Sequence, residues 1–194
     1  MRPAFLLAPL LASLLSPLAA SAQSWSYAAR AGGYPAGLSL PGSGVASGEE
    51  PAAMAANPAA IGFNQGFTLQ YFKERSGGTL EADGLYLAAG PLALTSEWLS
   101  PVGQASYRKL GLGLGLGGRG GAIGVSWNDW SSADRGVSRL HTWDLGLTIR
   151  PRRYLSAAIA ALDLGGRLND VRLPVRWSAG LATRLFDDAL TLSA

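Results

Sequence analysis

The chain has 194 residues, and its 16 basic and 13 acidic side chains are scattered rather than gathered into a stripe that could follow a phosphate backbone, which argues against nucleic acid as a partner. The absence of cysteine excludes thiolate metal sites and thiol nucleophiles. With 26 glycines, 6 tryptophans and only 15% charged residues, the composition favours closely packed β-strands over a helical soluble domain.

Residues 1–22 have the order of a secretory signal peptide. Arg2 supplies a charge, residues 4–18 are apolar, and Ala20-Ser21-Ala22 places small residues before a cleavage site. The apolar run is short for a membrane span and contains two prolines, so a retained transmembrane helix is the weaker interpretation. We expect cleavage after Ala22 and export of the rest of the chain.

Residues 23–66 form the next predicted unit. Up to Gly48 the sequence is rich in Gly, Ser, Ala and Pro without a clear period, which predicts a loosely structured lead-in. From Glu49 to Ala56 the acidic residues and the proline at the start predict a short helix. Asn57-Pro58 is expected to end that helix.

From Phe67 onward the side chains alternate with a period of two, which is typical of β-strands. The pattern is clearest in residues 110–117, where four leucines alternate with four glycines. The alternation predicts nine strands, at residues 67–73, 84–89, 92–99, 107–117, 121–130, 141–149, 154–162, 176–185 and 190–194. A soluble sandwich would also alternate, but its apolar face would point inward.

The predicted connections alternate between short and long. Short turns fall at 90–91, 118–120, 150–153 and 186–189, whereas residues 131–140 and 163–175 are long loops. Up-and-down outer-membrane barrels have this asymmetry, with tight periplasmic turns and longer outer loops. The sequence therefore predicts an all-β, antiparallel, up-and-down transmembrane β-barrel over residues 67–194, with a short helix before it.

Tryptophans mark the strand ends beside the long loops, as in an interfacial aromatic girdle. The set is Trp98, Trp127, Trp130, Trp143 and Trp177. Tryptophans at strand ends also occur in soluble barrels, so this alternative stays open.

A weak repeat links two hairpins. Residues 146–150 are echoed by residues 180–184, and each copy is followed by a turn and then Leu-Ser-Ala. The repeat predicts that Arg150 and Arg184 face the lumen at the periplasmic rim. Because single-chain bacterial barrels have even strand numbers and the ninth strand has only five residues, we expect the chain to be part of a longer one.

Candidate catalytic chemistry is weak. His141 could form a hydrolytic triad with Asp144 and Ser126, Ser138 or Ser156, but no nucleophile-elbow pattern is present, and a solvated histidine is the simpler interpretation. The loop residues Asp129, Asp134 and Asp170 lack the spacing of a calcium loop. No catalytic residue, metal site or cofactor is predicted.

The segment Asn57-Pro58-Ala59-Ala60-Ile61-Gly62-Phe63 resembles the Asn-Pro-Ala segment near the mature N-terminus of FadL-type transporters and of the related PorV/PorQ-like outer-membrane proteins. The resemblance extends over the lead-in and the hairpins, and it implies that residues 23–66 form a hatch inside the barrel. It assigns Asn57, Pro58, Ala59 and Phe63 to that hatch. The chain is too short for the fourteen strands of the full transporters.

The resemblance implies an outer-membrane barrel that passes or handles hydrophobic small molecules such as long-chain fatty acids, with outer-membrane lipid and a hydrophobic ligand as partners. The alternative is a barrel that anchors a larger protein or a periplasmic or secretion partner. Similar regions precede the protease domains of some SppA-type signal peptide peptidases, whose serine and lysine would lie beyond Ala194. A third hypothesis is a soluble periplasmic β-domain.

Overall fold

The computed structural model describes residue 38 and residues 44–76, 80–101, 105–133, 140–168, 171–185 and 190–193. The predicted signal peptide and most of the predicted lead-in lie outside these residues. The described part contains two 3₁₀ helices, one nine-stranded antiparallel sheet and one small hairpin. No helix within these ranges has the length and apolarity needed to cross a membrane.

Residues 44–63, which we name the inner segment, contain the two 3₁₀ helices, Pro51–Ala55 and Pro58–Phe63. Each begins with a proline, whose fixed φ suits the first helical position and whose missing N–H is not needed there. Asn57 caps the second helix, because its Oδ1 accepts a hydrogen bond from Ala59 N at 3.0 Å. The predicted short helix is present as a 3₁₀ helix and ends before Asn57-Pro58, as expected, but this pair also begins a second helix that was not predicted.

Each strand of the sheet pairs antiparallel with the strand beside it. The bounds are β1 Phe67–Ser76, β2 Leu80–Ala89, β3 Leu92–Pro101, β4 Tyr107–Gly118, β5 Gly121–Ser132, β6 His141–Arg152, β7 Leu155–Leu164, β8 Arg167–Leu168, β9 Val171–Arg172, β10 Arg176–Leu185 and β11 Leu190–Ser193. The short strands β8 and β9 form a separate hairpin inside the connection from β7 to β10.

The sheet order is β1-β2-β3-β4-β5-β6-β7-β10-β11. The prediction of an all-β, antiparallel, up-and-down architecture is confirmed, and every predicted strand is present. The described strands form an open sheet with β1 and β11 at its edges, and they do not close into a barrel.

The two faces of the sheet have opposite chemistry. The inner face packs against the inner segment, and on β4 it carries the buried residues Tyr107, Lys109 and three glycines. The outer face of the same strand carries the exposed side chains of Leu112, Leu114 and Leu116. A soluble sandwich would bury the leucine face, so the observed sheet has the reverse arrangement.

Buried apolar side chains gather on the inner face near the long-loop end of the sheet. This cluster consists of Leu38, Ala52, Ala82, Tyr86, Leu99, Tyr107, Trp130, Leu140 and Leu173. Met54 and Ile61 of the inner segment form a second cluster with Ala88 and Ala93 of β2 and β3. The core thus lies between the inner segment and the sheet.

Candidate functional site

The second 3₁₀ helix lies on a patch of the inner face that has no side chains. The patch is formed by glycines of three adjacent strands, Gly113, Gly115 and Gly117 in β4, Gly124 in β5 and Gly146 in β6. A Cβ atom on Gly146 would overlap with Asn57 Oδ1, and a Cβ atom on Gly124 would lie 2.6 Å from Ala59 N. The glycines therefore let the inner segment lie directly against the strand backbones.

Asn57 fixes the inner segment to this glycine patch. Its side chain is almost completely buried, and its Nδ2 donates to Val45 O at 2.8 Å and to Thr148 Oγ1 at 2.9 Å. Its Oδ1 accepts from Ala59 N, so one amide joins two parts of the inner segment to β6. The Ser156 hydroxyl of β7 forms a second link, because it donates a hydrogen bond to Ala46 O at 2.7 Å.

An ionic cluster fastens the same segment at the short-turn end. Arg150 of β6 and Arg184 of β10 both pair with the Glu49 carboxylate, with 2.6 Å between Arg150 Nη2 and Glu49 Oε1. Arg184 also donates to Ser47 O at 3.4 Å. The Arg150 guanidinium lies 3.4 Å from the centroid of the Phe63 ring, within the range of a cation–π contact.

The structure thus brings the predicted hatch and rim residues into one region. Asn57, Pro58 and Ala59 are buried on the glycine patch, and Phe63 joins the ionic cluster. A cavity of about 360 Å³ adjoins this cluster, and its lining includes Phe63, Leu116, Arg119 and Arg150. Glu49 was missed as a functional residue, because it is far from both arginines in sequence.

Outward side chains form continuous apolar rows across the strands. One row contains Phe67, Ala89, Leu92, Leu114, Val125, Leu145, Ala161 and Trp177. The row beside it contains Leu69, Leu87, Leu94, Leu112, Trp127 and Trp143. We name these two rows, together with Leu116, Ile123, Leu147 and Ile159, the apolar belt.

Polar outward residues begin beyond the belt, toward the long loops. Lys73 Nζ lies 3.5 Å from Asp83 Oδ1, and the Arg108 guanidinium lies 5.5 Å from the centre of the Trp98 ring. We name the set Lys73, Asp83, Arg108, Asp129 and His141 the polar rim. The belt is therefore bounded by charged groups at the long-loop end.

The tryptophans divide between the two faces. Trp98, Trp143 and Trp177 are 41%, 52% and 70% exposed on the outer face, and Trp127 is partly buried there. Trp130 is fully buried on the inner face, so the prediction that it belongs to the outward girdle was wrong. It stands three positions from Trp127, and an odd separation along a strand places two side chains on opposite faces.

Buried charges were not singled out by the sequence analysis. Glu97 and Lys109 face each other across β3 and β4, with 3.8 Å between Oε1 and Nζ, and both side chains are buried. Glu97 Oε2 also accepts from Leu38 N at 2.7 Å, and Lys109 Nζ lies 5.5 Å from the centre of the Trp130 ring. The alternation of side chains along the strands could have identified this pair, because both residues stand at inner positions of their strands.

The candidate triad is not assembled. Ser126 donates directly to Asp144 Oδ2 at 3.1 Å on the inner face, whereas His141 lies on the outer face and pairs with Asp129 at 2.7 Å. Ser156 donates to the inner segment, and Ser138 lies outside the described residues, as do Asp134 and Asp170. Within the described ranges, no three His, Cys, Asp or Glu side chains are grouped as metal ligands.

A scan of the sequence against family models gave no match, and searches of curated proteins and of solved structures gave none either.

Proposed function

We propose that this sheet is the wall of an outer-membrane β-barrel, with the inner segment as its internal hatch and with hydrophobic small molecules, such as long-chain fatty acids, as its cargo. The observation on which this rests is the reversed arrangement of the two faces. Large apolar side chains point away from the protein, while glycine, polar and charged residues are buried against the inner segment.

Strand length supports the membrane location. Strands β1 to β7 and β10 contain 10 to 12 residues. Strands of globular proteins most often contain about 5–6 residues, whereas a tilted strand needs about 9–11 to cross a bilayer. An apolar surface that continues across eight strands also exceeds the few hundred Å² that soluble monomers commonly expose.

The position of the inner segment supports the proposal of a hydrophobic cargo. It covers the inner face of six strands, so a molecule that moves along this face has to displace it. The cavity at the ionic cluster combines Phe63, Leu116 and Pro91 with Arg119 and with Arg150, whose partner Glu49 also lines it. Apolar surface beside guanidinium groups suits a molecule with a hydrocarbon part and a carboxylate.

A lysine substitution in the middle of the apolar belt tests whether the outer face lies in the membrane. We expect Leu114→Lys to destabilise the vesicle-inserted protein by about 2–4 kcal/mol, because it places a charge at the bilayer centre. Ser100→Lys, also exposed and outward but beyond Trp98, is the matched control, with an expected cost of about 0–1 kcal/mol. Urea unfolding from vesicles measures both. If both lysine variants lose equally little stability and the protein stays in solution without detergent, the result would support the soluble β-domain instead.

An uptake assay tests whether the protein transports hydrophobic molecules. Cells that produce the protein should take up a labelled long-chain fatty acid faster than cells without it, and replacement of Asn57 and Pro58 by alanine should remove the difference. Glu50→Ala, at an exposed position of the same segment whose side chain makes no cap hydrogen bond, serves as control. If the double variant reaches the outer membrane at the normal level and uptake does not change, the transport role is wrong and the anchoring role becomes the better explanation.

A further inference from the structure

A groove of about 650 Å³ runs along the outer face over β2 to β6. Its lining consists of Leu87, Ala89, Leu92, Ala93, Leu94, Leu112, Gly113, Leu114, Val125, Trp127 and Trp143. None of these described lining residues is charged. The groove lies within the apolar belt, at the end of the belt that is nearest to the polar rim.

Arg108 stands beyond this groove on β4, four residues from Leu112 and therefore roughly 13 Å along the strand. Its Nε donates to Ser96 Oγ at 3.2 Å, and its guanidinium lies over the Trp98 ring. These two contacts hold the charged group on the outer face. Leu110 is the outward residue of β4 between the groove and this guanidinium.

The charge of Arg108 has no counter-ion in the described part of the protein. Two outward carboxylates at the same end of the sheet have other partners. Asp83 pairs with Lys73 and accepts from the Tyr71 hydroxyl at 2.5 Å, and Asp129 pairs with His141. An exposed guanidinium therefore lies roughly 13 Å beyond an apolar groove, on the same face of the sheet.

We propose that the groove and Arg108 together bind one anionic phospholipid, with an acyl chain in the groove and the phosphate on the guanidinium. Guanidinium donors match phosphate oxygens in geometry and charge. Free phosphate would leave the groove unused, and an uncharged hydrocarbon would leave Arg108 unused. This inference rests on the proposed membrane location, because it places the outer face in lipid.

Lipid retention tests this site. The protein is reconstituted in phosphatidylcholine with a minor fraction of phosphatidylglycerol, extracted in mild detergent and examined by native mass spectrometry. We expect one phosphatidylglycerol to be retained in preference to phosphatidylcholine. Arg108→Gln should weaken retention by about tenfold or more, because it removes charge-assisted hydrogen bonds. Val125→Phe, which fills the groove, should weaken it as well.

Arg152→Gln is the matched control, because it removes an exposed arginine at the short-turn end of β6, away from the groove, and should leave retention unchanged. Equal retention by Arg108→Gln and the unaltered protein would overturn the site. So would displacement of the lipid by inorganic phosphate without any effect of Val125→Phe, since that result indicates an ion site without an acyl chain. If the protein inserts into vesicles but retains no phosphatidylglycerol, this inference fails while the membrane location stands.

Discussion

Gly146→Val is expected to expel the inner segment from the sheet. The valine side chain would occupy the space of Asn57 Oδ1, so the second 3₁₀ helix has to move away from β6. Overpacking costs about 1–3 kcal/mol, and each buried polar group that loses its partner costs about 1–3 kcal/mol more. Moving the segment away from β6 breaks the hydrogen bond that Asn57 Nδ2 donates to Thr148 Oγ1.

Limited proteolysis with thermolysin measures the displacement. The inner segment offers apolar cleavage sites at Met54 and Ile61, which are buried in the unaltered protein. In Gly146→Val we expect rapid cleavage within residues 44–63, while the strands stay resistant. Gly118→Val is the control, because a Cβ atom there meets nothing within 4 Å. Equal resistance of the two variants would contradict the docking of the segment on the glycine patch.

Lys109→Met is expected to destabilise the protein by about 3–5 kcal/mol, because it leaves the buried Glu97 carboxylate without its positive partner. Glu97→Gln in the same chain should restore most of that loss, since glutamine is neutral and keeps an acceptor for Leu38 N. Urea unfolding of the refolded protein in detergent measures the single and double variants.

The control for this pair is Lys73→Met, which breaks the exposed ion pair with Asp83 and should cost about 0–1 kcal/mol. A double variant that is as unstable as the sum of its single variants would contradict a coupled buried pair. Equal small effects of Lys109→Met and Lys73→Met would show that the inner face is open to water at this position.

The strands could be predicted because their signal is local. In β4, leucine alternates with glycine. This pattern places apolar side chains on one face and allows close backbone contact on the other, and it does so independently of the rest of the fold. The glycines of the inner face are occupied by close backbone contact, because Gly124 and Gly146 lie against the backbone and side chains of residues 57–59. The assignment of Asn57 to a segment on the inner side came only from the resemblance.

The errors have physical reasons. The girdle prediction used the position of each tryptophan along its strand and ignored which face it occupies, so it included Trp130. The helix prediction treated Pro58 as a stop, although proline also begins a helix when an asparagine precedes it as cap. Glu49 could not be paired with Arg150 and Arg184 from sequence, because the pairing depends on where the inner segment lies on the sheet, which no local pattern specifies.

The most direct measurement of the membrane-facing belt uses a spin label on Leu145→Cys, in the middle of the belt, with the protein in lipid vesicles. The chain has no cysteine of its own, so the label has one position. If the outer face contacts lipid, electron paramagnetic resonance will find the label accessible to oxygen, which concentrates in hydrocarbon, and shielded from a water-soluble nickel chelate. A label that is as accessible to the nickel chelate as to oxygen would contradict the account.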